Sequence, residues 1–168
     1  MKLNSAEQIF RALNAAGVQY LVAGGLAVNA HGYLRFTKDV DFVVRLSPEN
    51  IQQAFAALDT LGYRPNVPVT GEQFADPVQR QSWIDDKGMQ VLQLWSDEHR
   101  ETPIDIFVTE PFPFEEEYQR ALVKPLYGEI EVRFVSIPTL IRMKQLADRP
   151  QDHIDIDNLR RILEDDNG

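Results

Sequence analysis

Two aspartates separated by a single residue constrain this chain most, because they open an otherwise apolar predicted strand. Asp39 and Asp41 begin the segment DVDFVVRL. Side chains at positions i and i+2 of a strand point to the same face, so both carboxylates project together while Val40, Phe42 and Val44 pack on the other face. Aspartate is a poor strand former, and neighbouring carboxylates raise each other's pKa. The pair therefore predicts a site where a cation lies between two acids.

A pair of glycines lies upstream of these acids, at a predicted turn from strand to helix. Gly24 and Gly25 follow the apolar stretch VQYLVA and precede a short helix over residues 26–31, which Gly32 ends. Glycine allows close approach of the backbone, and the free N–H groups at a helix start bind phosphates. Alone, two glycines indicate only a tight turn. Followed by D-x-D, they predict a phosphate-binding turn beside metal-binding carboxylates.

A third carboxylate is available in another predicted strand. Asp105 stands between apolar neighbours in the segment PIDIFV. Hard oxygen ligands on rigid strands suit Mg²⁺ or Mn²⁺. Two such ions about 4 Å apart activate an attacking hydroxyl and stabilise the leaving pyrophosphate, and a third carboxylate helps to hold the second ion. If its strand pairs beside that of Asp41, Asp105 lies on the same face; otherwise it is a solvent-facing strand residue.

Taken together, these motifs resemble the signature of the DNA polymerase β-type nucleotidyltransferase superfamily. That signature is an apolar strand, a Gly-Gly or Gly-Ser turn, a short helix, D-x-D on the next strand and a third Asp on a later strand, here Gly24, Gly25, Asp39, Asp41 and Asp105. The minimal bacterial and archaeal branch, which includes the abortive-infection (AbiEii-like) nucleotidyltransferase toxins, is similar in further residues. These are His31, Gly32, Arg35 and Thr37, and a K-x4-R-x2-D-x2-D spacing at Lys144, Arg149, Asp152 and Asp155.

The resemblance implies an enzyme that moves an NMP from an NTP to an acceptor hydroxyl and releases pyrophosphate. Its catalytic and metal-binding residues would be Asp39, Asp41 and Asp105, with Mg²⁺ or Mn²⁺ as the cofactor. Its nucleotide-binding residues would be Gly24, Gly25, Arg35, Lys38 and Lys144. One departure is Leu26, which follows the glycines where much of the superfamily has Ser or Thr. Phosphate binding would therefore rest on backbone N–H groups, helped by Arg35 or Lys38.

The acceptor and the partners stay open at this stage. RNA, a protein side chain and a small molecule are all candidate acceptors, and the toxin resemblance implies an antitoxin protein as a partner. A net charge of −9 argues against a protein that coats nucleic acid, although it permits a nucleotide substrate whose metal ions need acidic ligands. The alternative function is a non-catalytic nucleotide- or partner-binding module that retains the fold, and Leu26 is the feature that favours it.

The order of predicted elements favours an α+β nucleotidyltransferase fold, with a mixed sheet flanked by helices and with C-terminal helices. We expect one domain over residues 1–168, with a catalytic core at about 18–110 and a C-terminal strand and helices at about 111–168. The predicted helices are 5–16 with Ser5 as N-cap, 47–61, 114–122, 136–147 and 154–164. The predicted strands are 18–23, 39–46, 89–95, 104–109 and 129–135. Residues 63–82, rich in proline, are predicted to form a long loop with at most one edge strand.

Composition and the N-terminus bound the location of the protein. The chain has no cysteine, which excludes disulfides and thiolate metal sites. No run of 18 apolar residues occurs, and the N-terminal segment has the pattern of an amphipathic helix instead of a signal peptide. We therefore expect a cytoplasmic protein with no membrane partner.

Several other polar and aromatic residues have a functional and a structural interpretation. Arg35 holds a phosphate or pairs with an acidic neighbour, and Lys144 contacts the nucleotide or lies on the helix surface. The structural interpretation is favoured for the rest: a hydrogen-bonding role for His31, pairing or capping for Asp152 and Asp155, core packing for Trp83 and Trp95, and a solvated helix start for residues 115–117.

Overall fold

One mixed β-sheet organises the chain. The protein is represented by a computed structural model, which describes residues 1–167. Within that range the chain forms eight helices and seven strands. The helices are α1 Leu3–Ala15, α2 Gly24–Ala30, α3 Pro48–Asp59, α4 Gly71–Ala75, α5 Pro77–Lys87, α6 Phe114–Arg120, α7 Ile137–Ala147 and α8 Pro150–Asn167. The strands are β1 Tyr20–Ala23, β2 Val40–Val44, β3 Arg64–Pro65, β4 Val91–Trp95, β5 Ile104–Phe107, β6 Leu122–Leu126 and β7 Ile130–Phe134.

The sheet has the strand order β3-β4-β5-β2-β1-β7-β6. β2 pairs with β5 and β1 with β7 in parallel, while the other four pairings are antiparallel. The C-terminal strands β6 and β7 thus extend the same sheet beside β1. The prediction of an α+β fold with a mixed sheet flanked by helices is confirmed.

The main core lies between α1 and the sheet. Ile9, Phe10 and Leu13 of α1 are buried at helical spacing. The ring of Phe10 meets that of Phe42 edge-on, with 6.0 Å between centroids. Phe42 lies next to Asp41 along β2, so its side chain points to the opposite face. Packing of the apolar residues of β2 against α1 therefore leaves the Asp41 side chain on the other face of the sheet.

Residues 63–82 were wrongly predicted to form a long loop. They contain β3, all of α4 and the start of α5. Thr70 accepts from the Gln73 backbone N–H while the Gln73 side chain accepts from the Thr70 backbone, which is a capping box that starts α4. Asp76 caps α5, and Pro77 stands in its first turn, where proline lacks only an N–H that would be unpaired anyway. The capping side chains thus favour helices in this segment although it contains several prolines.

The N-terminal helix begins earlier than predicted. α1 starts at Leu3 with Lys2 at the N-cap position, so the prediction of Ser5 as N-cap was wrong. Ser5 is buried, and its Oγ lies 2.7 Å from Nδ1 of His99. A long-range hydrogen bond therefore uses the hydroxyl that the sequence pattern assigned to capping.

Strand β6 was not predicted, and Leu122 was assigned to the preceding helix. β6 and β7 form a hairpin whose turn contains Tyr127 and Gly128, both at positive φ. Pro125 is tolerated because β6 is the edge of the sheet, where its missing N–H removes no ladder hydrogen bond.

Over residues 1–167, none of the helices combines the length and the apolar character needed to cross a membrane.

Candidate active site

Asp41 and Asp105 are direct neighbours across two parallel strands. β2 and β5 pair in a register that places Asp41 opposite Asp105. Both side chains are half-buried, and both contribute to the wall of one cavity. Parallel pairing puts residues in register on the same face of a sheet, so the two carboxylates stand side by side.

The two carboxylates resist ionisation when no cation is bound. Burial, followed by the charges of Asp105 and Asp39, raises the pKa of Asp41 to about 7. Burial and the charge of Asp39 likewise raise the pKa of Asp105, against a hydrogen bond that Gln93 donates to its Oδ1 at 3.4 Å. The structure therefore brings acidic groups together at one point of the sheet, where their ionised forms are disfavoured.

Asp39 stands just outside the strand. β2 begins at Val40, and the Thr37 hydroxyl lies 3.5 Å from the carbonyl oxygen of Asp39. The charge of Asp39 raises the pKa of both other acids.

In the part of the chain that the structure describes, no three His, Cys, Asp or Glu side chains form a ready metal-binding group. Mg²⁺ is commonly held by one or two carboxylates plus substrate phosphates, and this donor set fits that mode.

The Gly24-Gly25 turn lies against the acids. Gly24 has φ +62°, and a Cβ there would overlap Oδ2 of Asp41. A Cβ on Gly25 would lie 2.5 Å from Oγ1 of Thr37 and 2.9 Å from Nη1 of Arg35. Only glycine satisfies both the left-handed backbone and the close approach at Gly24. The turn opens α2, whose N-terminus has no side-chain cap.

Arg35 is held by an acidic partner from the C-terminal helix. Its Nε and Nη2 donate to the two carboxylate oxygens of Asp155 at 2.8 and 2.7 Å, and its Nη1 donates to the carbonyl of Phe36 at 2.9 Å. Of the two interpretations of Arg35, the structure contains the acidic pair. Lys38, in the same loop, is exposed.

The K-x4-R-x2-D-x2-D residues form one buried ion-pair network. Lys144 Nζ donates to Asp155 Oδ2 at 2.7 Å and to Asp152 Oδ1 at 3.3 Å, and Arg149 Nε donates to Asp152 Oδ2 at 2.9 Å. Lys144, Asp152 and Asp155 are buried. Burial raises the pKa of Asp155, but the hydrogen bonds from Arg35, Lys144 and Gln151 outweigh it, so the pKa lies below its usual range. The network joins α7, α8 and the Arg35 loop. The sequence predicted pairing with Arg149 and an unspecified acidic neighbour for Arg35, but not the two carboxylates that Lys144 contacts.

Three other predictions had different outcomes. His31 Nε2 lies 2.8 Å from the carbonyl oxygen of Val135, in line with its predicted structural role. Trp95 is 46% exposed, so its assignment to the core was wrong. Glu117 is fully buried and accepts from the Ser136 N–H and the Thr139 hydroxyl, so it is not part of a solvated helix start.

A cavity of about 480 Å³ extends from the acids over the sheet face. Its polar lining includes Gly24, Asp41, Asp105, Lys144, Arg149 and Asp152. Its apolar lining includes Ile84, Met89, Val91, Phe107, Leu140 and Met143. No sequence pattern indicated the apolar part, because its residues come from α5, from β4 and the segment that leads into it, from β5 and from α7.

Comparison with known proteins identifies the family. Residues 9–166 match the family described as "Nucleotidyl transferase AbiEii toxin, Type IV TA system". A search of curated protein sequences found no match.

Solved structures share the fold at low sequence identity. The lincosamide antibiotic adenylyltransferase LnuA, lincomycin-bound, is similar with a TM-score of 0.63 and 15% identity, over 96% of this chain and 98% of that chain. ANT(2")-Ia in complex with adenylyl-2"-tobramycin has a TM-score of 0.59 and 16% identity, over 94% of this chain and 86% of that chain. At such identities these likenesses establish the nucleotidyltransferase fold alone. The family match covers nearly the whole chain, and the protein therefore belongs to the AbiEii nucleotidyltransferase toxin family and is a nucleotidyltransferase enzyme.

Proposed function

We propose that this enzyme transfers an NMP from a metal-bound NTP to an acceptor hydroxyl, with Asp39, Asp41 and Asp105 as its catalytic carboxylates. The observation that carries the proposal is the register pairing of Asp41 with Asp105 directly beside the Gly24-Gly25 turn. A purely structural role would not explain why Asp41, whose pKa is raised by burial and by the charges of Asp105 and Asp39, adjoins a turn that only glycine can form. The family match argues against the non-catalytic alternative.

A divalent cation, Mg²⁺ or Mn²⁺, fits this donor set. Asp41 and Asp105 would hold it, with Asp39 supplying further negative charge, and the phosphates would complete the ligand shell. When bound, such a cation neutralises the phosphates and lowers the pKa of the attacking hydroxyl. The raised pKa of Asp41 supports the fit, since a cation offsets both causes of the shift, the burial of the carboxylate and its repulsion by Asp105 and Asp39.

The nucleotide phosphates would lie over the glycine turn. The N–H groups at the start of α2 lack a side-chain cap and are free to donate to phosphate oxygens. Lys38, exposed in the adjacent loop, would supply positive charge. Lys144 lines the cavity, but its Nζ is already held by Asp152 and Asp155, so it would contact the nucleotide only from within this network. Arg35 would act mainly by holding the loop against Gly25, because two of its three guanidinium nitrogens are engaged by Asp155.

The reaction forms a bond between the acceptor oxygen and the α-phosphorus and breaks the bond from that phosphorus to the oxygen that bridges to the β-phosphate. Pyrophosphate leaves with the bonding electrons. The hydroxyl proton would pass to the carboxylate of Asp105, whose Oδ1 accepts from Gln93.

The family description supports a role as the toxin of a toxin–antitoxin pair, with an antitoxin protein as partner and the cytoplasm as the place of action. The fold neighbours raise small molecules as acceptors, since one is a lincosamide antibiotic adenylyltransferase and the other is bound to adenylyl-2"-tobramycin.

The test is label transfer from each of the four α-³²P NTPs, with Mg²⁺ and a cell lysate. Wild type should release pyrophosphate and label an acceptor, and a chelator should stop both. Asp41→Asn should lower the rate about a hundredfold or more, equivalent to about 2.7 kcal/mol of transition-state stabilisation. Asp165→Asn, at an exposed acid of α8, is the matched control. An Asp41→Asn protein as active as the control would contradict the proposal.

A further inference from the structure

The cavity extends from the paired acids on the side away from the glycine turn. Across the sheet, β1 with Gly24 at its end is followed by β2, β5 and β4. Along β5, Phe107 lies two residues beyond Asp105 on the same face, and Val91 of β4 pairs with Phe107. Gly24 and Phe107 therefore lie on opposite sides of the acid pair.

The chemistry of nucleotidyl transfer assigns roles to these two sides. The attacking and leaving oxygens stand roughly in line through the phosphorus. If pyrophosphate leaves toward the glycine turn, the acceptor hydroxyl must approach from beyond Asp105. That approach is the part of the cavity between β5, β4, α5 and α7.

The lining of that part is mainly apolar, with Gln90 and Thr109 as its polar residues. Met89, Val91 and Phe107 cover one side, and Leu140 and Met143 of α7 lie with them around the cavity. Thioether and aromatic side chains of this kind adapt to irregular apolar ligands and offer few hydrogen bonds to a polyol or to a nucleic-acid backbone.

Exposed acids adjoin two of the cavity-lining segments along the chain and disfavour anionic acceptors. Asp85 and Asp86 follow Ile84 on α5, and Glu110 lies between the cavity-lining Thr109 and Pro111, all three acids being exposed. Lys87 is the cation that follows them on α5. Lys144 and Arg149 line the cavity beside the catalytic acids, but the chain as a whole carries a net charge of −9. A polyanion such as RNA is therefore disfavoured relative to a neutral or positively charged molecule.

We propose that the apolar end of this cavity is the acceptor subsite, and that the acceptor is a small hydroxyl compound with an apolar body and no net negative charge. This inference rests on the transferase function proposed above. The acceptor oxygen bonds to the α-phosphorus, its proton passes to Asp105, and pyrophosphate leaves on the glycine side. The product is the NMP ester of that compound.

The first experiment uses acceptor pools separated from one cell lysate: RNA, protein, small molecules retained on a reversed-phase column and small molecules that pass through it. Each pool is incubated with wild type, α-³²P NTP and Mg²⁺. Label should enter the retained small-molecule pool. Label confined to RNA, protein or the unretained pool would overturn the acceptor subsite while leaving the transferase function intact. No transfer and no pyrophosphate release with any pool would overturn both.

The second experiment fills the subsite. Ala147 lines the cavity at the exposed end of α7, so Ala147→Phe adds bulk there with little risk to folding. Ala56→Phe, at an exposed position of α3, is the matched control. The KM for the retained acceptor fraction should rise about tenfold in Ala147→Phe alone. An equal rise in the KM for the NTP would show that the cavity holds the nucleobase instead, and wild-type KM values for both substrates would show that this end of the cavity takes no part.

Discussion

At the scale of single residues, Gly24 is the position with the least freedom. It combines a left-handed backbone with direct contact to the Asp41 carboxylate. A methyl group would meet strain from the positive φ and also displace Oδ2 of Asp41. Gly25 is crowded differently, by the side chains of Thr37 and Arg35, and its φ is not in the left-handed region.

Gly24→Ala should therefore abolish transfer more completely than it destabilises the protein. We expect a loss of about 1–2 kcal/mol in the free energy of unfolding and at least a hundredfold loss in kcat/KM. Chemical denaturation and steady-state label transfer measure the two effects. Gly88→Ala is a suitable control, because Gly88 also has positive φ but has no neighbour within 4 Å of an added Cβ. Equal activity in the two variants would show that contact with Asp41 is unimportant.

The positions of the three acids and the glycines could be predicted from sequence, whereas their partners could not. The alternation of apolar and polar residues and the spacing of the motifs indicate locally which residues form strands and turns. They also indicate the face of the strand to which Asp41 and Asp105 point. The Arg35–Asp155 pair joins residues 120 positions apart, and no local pattern specifies such a contact. The catalytic role of the acids stays a prediction.

At the scale of elements, α8 fastens the loop that carries Arg35. Asp155 is fully buried and accepts hydrogen bonds from Arg35, Lys144 and Gln151. Removing one member of a buried ion pair leaves an uncompensated charge, which costs more than the pair contributes. The geometry of the glycine turn therefore depends on a helix that follows it by more than a hundred residues.

Asp155→Asn should destabilise the protein by about 3 kcal/mol and raise the KM for NTP more than it lowers kcat. The amide keeps the shape but leaves Arg35 and Lys144 without their shared anion. Asp157→Asn, exposed on the same helix, is the control. Urea denaturation and NTP titration of the rate give both values, and a KM equal to that of the control would indicate that α8 only supports the fold.

The start of α7 depends on another buried acid. Glu117 of α6 accepts from the Ser136 N–H at 2.7 Å and from the Thr139 hydroxyl at 2.7 Å, and it pairs with Arg120. Burial raises the pKa of Glu117, but these hydrogen bonds outweigh it, so the pKa lies below its usual range. The sequence predicted a solvated acidic run, because three consecutive glutamates give no local sign that one of them is buried.

Glu117→Gln should lower the free energy of unfolding by about 2 kcal/mol, since hydrogen bonds to a charged acceptor are replaced by weaker ones. The neighbouring Glu116→Gln, at an exposed position, should change it by less than about 0.5 kcal/mol. Urea denaturation at pH 7 compares the two. Similar values for both variants would mean that the Glu117 contacts contribute little to stability.

At the scale of the whole molecule, the site joins the central strands to the C-terminal helices. The acids lie on β2 and β5, and Lys144 and Asp152 reach the same cavity from α7 and α8. The fold class with its mixed sheet, and most helices and strands, could be predicted from the sequence, since the periodicity of apolar residues indicates such elements locally. Strand order did not, because it depends on contacts between distant segments.

The raised pKa of Asp41 makes stability depend on pH and metal. Its pKa is about 7 in the folded protein and about 3.9 in an unfolded chain. Between these values the folded state binds a proton that the unfolded chain has released, so stability falls as pH rises from about 4 to about 7. Above pH 7 both states are ionised and the loss from this group is complete. A divalent cation binds the ionised acids, so protons compete with it below pH 7.

Calorimetry of the metal-free protein should therefore show wild type losing stability relative to Asp41→Asn between pH 5 and pH 8, by an amount on the order of 2 kcal/mol. Excess Mg²⁺ should raise the Tm of wild type more at pH 8 than at pH 6, by mass action on the ionised site. Asp41→Asn should respond weakly to Mg²⁺ at both pH values, and Asp165→Asn should follow wild type. The stability of wild type could instead follow the same pH dependence as that of Asp41→Asn, with an Mg²⁺ response independent of pH. This result would show that Asp41 is already ionised at pH 5, and it would remove the physical basis for a proton–metal exchange at this site.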